Sequence, residues 1–312
     1  MSKVFIAGAT GGIGSAIVFE LIKQNFEVIA FARNKNRLNE MFGGHTLVTC
    51  IAGDVLDEEQ LLQAAQDADL IIHAVNFPYQ DWNKTHIQCL QNLLAAAKQQ
   101  DARFIMIDNI YAYSKSEVPL TEYSEKSPPS KKGELRLHME QLIKASGLPY
   151  MILHIPDVYG PRAAGTHIGV TLDGVVKKKV AYYVGPMHVK REFAYTGDVA
   201  QFVVELSKRP DCYMQNWNLP GGLHITGQQL EDYIKHHTGY EKSFKPVTSL
   251  MLFFVGLFDP FMREMREMFY LCEEPLFIDG SKLKKELGEL KFTNIEQSLL
   301  ETYAWMKSTV NN

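Results

Sequence analysis

The sequence predicts an α/β chain: a doubly wound parallel sheet followed by a smaller, discontinuous C-terminal lobe. Three observations predict it. A β-forming run at the start breaks at a glycine and passes straight into an amphipathic helix, with Gly8-Ala9-Thr10-Gly11-Gly12-Ile13-Gly14 as the turn. Four further apolar runs alternate with helical stretches as far as residue 108, which is the order of strand–helix–strand units in a parallel sheet. From residue 157 the alternation loosens into turn-rich pieces at Gly160-Pro161, Ala164-Gly165, Gly185-Pro186 and Pro220-Gly221-Gly222, as suits a separate lobe.

The first strand, Lys3-Val4-Phe5-Ile6-Ala7, leads into a helix whose residues Ile13, Ile17, Val18, Leu21 and Ile22 share one face. Glycine at 8, 11 and 14 permits a sharp turn, close approach of backbone N–H groups to a pyrophosphate, and tight helix–strand packing. The helix N-terminus adds unpaired donors and a partial positive charge. Between a strand and a helix this turn is read as a dinucleotide site, with Gly8, Thr10, Gly11, Gly12, Ile13 and Gly14 at the cofactor. The plain alternative is a turn with no ligand.

The second strand spans 27–33, and its end bears on which cofactor fits. An acidic residue there would accept from a ribose 2′-OH and repel a 2′-phosphate. This chain has Arg33, then Asn34, Lys35 and Arg37. A guanidinium binds phosphate through two donors, so NADP(H) is expected ahead of NAD(H). The alternative is solvated charge at a helix start. The third strand, 46–52, runs into Gly53-Asp54-Val55, which places Asp54 and Val55 at the carboxyl edge near the adenine. Asp57 with Gln60 has the spacing of a cap on a helix over 58–66. The fourth strand, 69–75, contains His73, read as a satisfied core histidine, and ends near Ala74, Val75 and Asn76, against which a cofactor can lie. A long amphipathic helix over 82–100 buries Ile87, Leu90, Leu93, Leu94 and Ala97, and the fifth strand spans 103–108. Right-handed crossovers complete a Rossmann layout.

With 312 residues, 46% of them hydrophobic, the chain can bury a large core. A net charge of −4 with interspersed signs gives no basis for nucleic acid or an anionic membrane as partner. The cysteines at 50, 89, 212 and 272 are too dispersed for a zinc site and read as buried thiols of a cytoplasmic protein. No charged-then-apolar leader precedes the first strand. The apolar run over 250–258 stops at Asp259-Pro260, too short to span a bilayer. His236-His237 lacks a third ligand, so no metal is expected.

Four segments in order now carry a resemblance: the glycine turn at 8–14, Gly53-Asp54-Val55, Ile155-Pro156-Asp157-Val158-Tyr159-Gly160-Pro161, and Arg191-Glu192-Phe193-Ala194-Tyr195-Thr196-Gly197-Asp198-Val199-Ala200. The chain resembles the extended short-chain dehydrogenase/reductases, in their NAD(P)-dependent epimerase/dehydratase branch. The resemblance implies that Pro156 and Val158 help hold the nicotinamide, that Arg191 contacts an anionic substrate, and that two copies pair through long helices of the sheet. It departs from the family at the catalytic motif, a Ser or Thr after the fifth strand and a Tyr-x-x-x-Lys on the next helix. Asn109 aligns with the Ser, Lys132 with the Tyr and Arg136 with the Lys. Tyr111 and Lys115 have the motif's spacing but directly follow the strand, a coincidental match that still allows Tyr111 into the pocket.

The candidate catalytic residues are therefore Asn109, Tyr111, Lys132 and Arg136. Arg136 would hold ribose or phosphate, and Lys132, near that charge, would donate a proton while also touching the cofactor. The alternative is a surface helix with an Arg136–Glu140 pair and no chemistry. Tyr113 and Tyr159 join Arg191 as candidate substrate contacts, with Phe77, Tyr79 and Trp82 among other aromatics near the cleft. The expected domains are 1–156 for NADP binding, rejoined by 190–210, and 157–312 mostly for substrate. The Met/Phe stripe over 251–265 reads as core, subunit contact or hydrophobic lid. Two functions fit: hydride transfer on a carbonyl, sugar or related small molecule, or an inactive NADP(H) sensor.

Overall fold

The computed structural model describes residues 3–163 and 165–310; Ala164, placed in a turn by the sequence, lies outside them. The first half runs β1 (Lys3–Ala7), α1 (Gly12–Lys23), β2 (Glu27–Ala32), α2 (Lys35–Phe42), β3 (Val48–Ala52), α3 (Glu58–Ala64), β4 (Leu70–His73), α4 (Trp82–Gln99), β5 (Arg103–Asn109), α5 (Lys131–Ala145) and β6 (Tyr150–Ile155). The second half continues through β7 (Asp157–Tyr159), α6 (His167–Val176), β8 (Tyr182–Val184), β9 (Lys190–Tyr195), α7 (Thr196–Ser207) and β10 (Gln215–Asn218). It closes with β11 (Leu223–Thr226), α8 (Gly227–Thr238), β12 (Lys245–Val247), α9 (Ser249–Gly256), α10 (Pro260–Glu267), α11 (Tyr270–Glu273), α12 (Ser281–Leu287) and α13 (Ile295–Val310).

The central sheet has the order β10-β6-β5-β4-β1-β2-β3 and is parallel throughout. Alternation along β1 divides the interior. Val4 and Ile6 face α1 and α7, in a core with Ile17, Val18, Leu21, Val199 and Val203. Phe5 and Ala7 face the opposite layer, with Leu90 and Leu93 of α4 and Met139 and Ile143 of α5. A sheet buried on both faces requires this continuous apolar pattern.

Of residues 190–210, expected to rejoin the central domain, the helical part does so and the strand before it does not. Segment 190–195 is β9 and belongs to a separate three-stranded sheet, β11-β9-β7. Among the elements that rejoin the central domain are α7, packed on α1, and β10, paired in parallel with β6. β10 is missed by pattern because Gln215-Asn216-Trp217-Asn218 offers polar side chains where an apolar run is sought. Tyr159, Phe193, Leu230 and Leu299 build the core of the lobe. In the Met/Phe stripe, Asp259 accepts from the N–H groups of Phe261 (2.8 Å) and Met262 (3.2 Å), which caps α10 and breaks it from α9. Pro260 stands at its first turn.

Candidate functional site

The chain leaves β1 at Gly8, whose φ of +86° favours glycine and whose missing Cβ would stand 2.6 Å from the Ala74 carbonyl oxygen. The Gly11 N–H donates to the Gly8 carbonyl at 3.0 Å, closing the turn. Gly14 serves packing: a Cβ there would lie 2.2 Å from the same carbonyl. First-turn amides of α1 have no partner within the helix, and Gly12 and Ile13 there line a cavity of about 550 Å³ at the carboxyl edge of the sheet.

Of the expected cofactor residues, Gly8, Thr10, Gly11, Gly12, Ile13, Arg33, Val55, Ala74, Val75, Asn76 and Val158 line this cavity, and Pro156 lines the adjoining one. Asp54 does not line it. Its carboxylate accepts from the Leu56 N–H at 3.0 Å and holds the turn that presents Gly53 and Val55. Asp57 caps α3 through the Gln60 N–H at 3.1 Å. The cavity suits a dinucleotide: small residues on the floor, a helix N-terminus at the middle and backbone donors free to approach an anion.

At one end stand three arginines, Arg33, Arg37 and Arg162, and among the described residues no acidic side chain lines the cavity. Arg162 is held at φ +67° with its guanidinium 5.1 Å from the centre of the Phe19 ring. Burial, reinforced by the charge of Arg37, lowers its pKa. Sequence reading missed Arg162, since only the fold brings the Gly160-Pro161 turn back over α1.

At the other end the adjoining cavity, about 210 Å³, brings together Asn109, Tyr111 and Arg136. The Asn109 carboxamide oxygen accepts from the Tyr111 N–H at 3.0 Å. The hydroxyls of Tyr111 and Tyr79 are 2.8 Å apart. Burial raises the Tyr111 phenol well above its usual value and pushes Tyr79 up to about 12, so both remain protonated. Arg136 lies 3.4 Å from Asp108 and 4.4 Å from the centre of the Trp82 ring, and donates to the Asn76 side chain at 3.4 Å. Its Nε has no partner among the described residues. His73 is only partly satisfied: Nδ1 accepts from the Val75 N–H at 3.2 Å and Nε2 has no partner there. Burial, with Arg136 adding, pushes it down to about 3.

Several expected contacts lie elsewhere. Lys132 lines neither cavity; its ammonium is 2.6 Å from both Glu264 and Glu267 of α10, and it is buried although it stands in the first turn of α5. Neither a cofactor contact nor the surface-helix alternative describes it. The Arg136–Glu140 pair does not form, because Glu140 is taken by Lys126 (2.5 Å), Lys144 (2.6 Å) and Asn216 (2.9 Å). Tyr113 turns away from the cleft to donate to Asn218 at 2.8 Å, and the Tyr159 hydroxyl meets Ser298 at 2.7 Å inside the lobe. Trp82 is buried, its indole N–H bound to the Phe77 carbonyl at 2.8 Å. Arg191 does reach the substrate side, but it is held by Asp157 and by the Val184 carbonyl at 3.0 Å. In each case a polar group buried on folding has found an internal partner, which spacing alone does not reveal.

Among the described residues no cluster of three His, Cys, Asp or Glu is placed to hold a metal, and no helix is long and apolar enough to cross a membrane.

Comparison with known proteins agrees with this geometry. A family model described as NAD(P)H-binding matches residues 8–210. A putative UDP-glucose 4-epimerase of Methanocaldococcus jannaschii is 26% identical over 267 residues, 76% of this chain and 83% of that protein. The crystal structure of a UDP-glucuronic acid 4-epimerase from Bacillus cereus, in complex with UDP-glucuronic acid and NAD, superposes with a TM-score of 0.82 at 19% identity, covering 98% of this chain and 99% of the other. A dTDP-glucose 4,6-dehydratase from Bacillus anthracis in complex with NAD gives 0.81 at 17% identity, covering 100% and 98%. The chain belongs to the NAD(P)H-binding family, and its fold is that of the extended short-chain dehydrogenase/reductases of the epimerase/dehydratase branch.

Proposed function

We propose that the protein is an NADP(H)-preferring oxidoreductase that transfers hydride to or from a carbonyl or alcohol carbon of a small molecule. The observation that carries the cofactor preference is the triple-arginine end of the larger cavity, without a carboxylate to take a ribose 2′-OH. Related structures were solved with NAD; the arginines are the reason for reading this site differently. Arg33 continues from β2, Arg37 lies on α2 and Arg162 follows β7, so a 2′-phosphate would meet cations from three directions.

A bound nicotinamide supplies or takes the hydride. The chain's own residues do the rest. The α1 N-terminus and the glycine turn neutralise the pyrophosphate, while Val75, Asn76, Pro156 and Val158 hold the ring end. Tyr111, kept protonated by burial, hydrogen-bonds the substrate oxygen and in the reducing direction passes it the proton that balances the hydride, while Tyr79 fixes the direction of that hydroxyl. Asn109 sets the Tyr111 backbone. Arg136, tethered by Asp108, adds a buried cation to the wall of the smaller cavity.

One observation favours the sensor reading: with Lys132 bound to two carboxylates, no lysine or tyrosine of α5 lines the cleft. Stopped-flow measurement of NADPH oxidation separates the two. Turnover of any carbonyl compound that falls on Tyr111→Phe supports the enzyme; tight NADPH binding with no turnover across aldehydes, ketones and nucleotide sugars supports the sensor.

A further inference from the structure

The cavity on the substrate side has a volume of about 470 Å³, within the range of small-molecule sites. Most of its wall is apolar. Phe261 and Met265 of α10, with Met268, Phe269 and Leu271 after it, face Val170 and Val184 of the lobe. Cations in this cavity are already spent. Arg191, 2% exposed, has one nitrogen on the Val184 carbonyl and another on Asp157, a carboxylate of the same wall. His167 lies 3.9 Å from Asp157, yet burial, with Arg191 adding, pushes it down to about 4, leaving it neutral.

We infer that this cavity selects an uncharged carbonyl compound bearing an aliphatic or aromatic chain and rejects nucleoside diphosphate sugars. A diphosphate brings two negative charges that must leave water, and the wall offers it one arginine whose charge is cancelled by Asp157. An aliphatic chain meets methionine and phenylalanine side chains that adapt to its shape. The carbonyl oxygen would point to the hydroxyl of Tyr111, a residue that lines this cavity as well as the smaller one beside Asn109. This rests on the hydride-transfer reading above and deepens it with a substrate class.

The test uses the full chain loaded with NADPH, its retention first read by nicotinamide fluorescence. It is then titrated with methyl ketones from butanone to nonanone and, separately, with UDP-glucose. Affinity should rise about threefold to fourfold per added methylene, and UDP-glucose should show no saturable binding up to about 1 mM. A flat chain-length series, or saturable UDP-glucose binding in the micromolar range, overturns the inference. Val170 is 42% exposed at the cavity rim, so Val170→Arg tests the wall with little risk to folding. It should weaken nonanone about tenfold with NADPH retention unchanged; unaltered nonanone affinity means the ketone binds elsewhere and overturns the assignment. Failure to retain NADPH counts against the cofactor reading alone, because the ketone series is also run on the protein as purified.

Discussion

Lys132 is bound to Glu267 twice: its ammonium lies 2.6 Å from Oε2, and its backbone N–H donates to Oε1 at 3.3 Å. With Glu264 at 2.6 Å, this fastens α10, one wall of the substrate cavity, to the first turn of α5. The position aligned with a catalytic tyrosine is a strut.

Lys132→Met should therefore loosen the α9–α10 hairpin without weakening cofactor binding. The two glutamates are partly exposed and can rehydrate, so the loss is about 1–3 kcal/mol in urea unfolding. Limited proteolysis should cut faster within 249–267, and Lys132→Arg should restore most of the protection. Unchanged cleavage in the methionine variant would contradict the strut.

Tyr111→Phe removes the hydroxyl placed to polarise the substrate oxygen. For a carbonyl compound that is turned over, kcat should fall on the order of a hundredfold, while NADPH affinity stays the same. Tyr79→Phe, which removes only the partner at 2.8 Å, should cost about tenfold or less. Equal losses in the two variants would point to a structural effect.

His73 is neutral in the fold, pushed down to about 3 from 6.5. An unfolded chain takes up a proton near pH 6.5 that the folded chain refuses. The stability this histidine contributes is complete above that pH and is lost as pH falls toward 3. His73→Asn keeps an acceptor for the Val75 N–H and cannot titrate, so its urea midpoint should fall less between neutral and acid pH than that of the wild type. A parallel decline in both proteins would assign the acid limb to other groups.

The alternation from β1 to β5 was legible because the inner strands β1, β2, β4 and β5 are largely buried on both faces and therefore apolar, and the glycine turn because Gly8 and Gly14 admit no Cβ. Arg33 could be read too, standing just after a recognisable strand. Arg162 could not, because its place beside Arg37 depends on a turn folded back from well over a hundred residues away. Nor could the fates of Lys132, Tyr113, Tyr159 and Arg191. Each is settled by a partner remote in sequence, Glu264 and Glu267, Asn218, Ser298, and for Arg191 the Asp157 carboxylate. The side-chain type announces a polar group that needs satisfying, and only packing decides whether a ligand or the protein satisfies it.

Gly12 tests the cradle itself. A Cβ there would stand 2.8 Å from the Ala163 Cβ, so Gly12→Ala should push away the segment that carries Arg162 and weaken both NADPH and NADH. Calorimetry showing unchanged affinity for both would place the dinucleotide elsewhere.

Calorimetric titration of the wild type and of an Arg33→Ala, Arg162→Ala double variant with NADPH and NADH tests the 2′-phosphate site most directly. Wild type should bind NADPH at least about tenfold more tightly than NADH, and the double variant should lose that difference while keeping its NADH affinity. Wild-type protein that binds NADH as tightly as NADPH, or a double variant that still prefers NADPH, would contradict it.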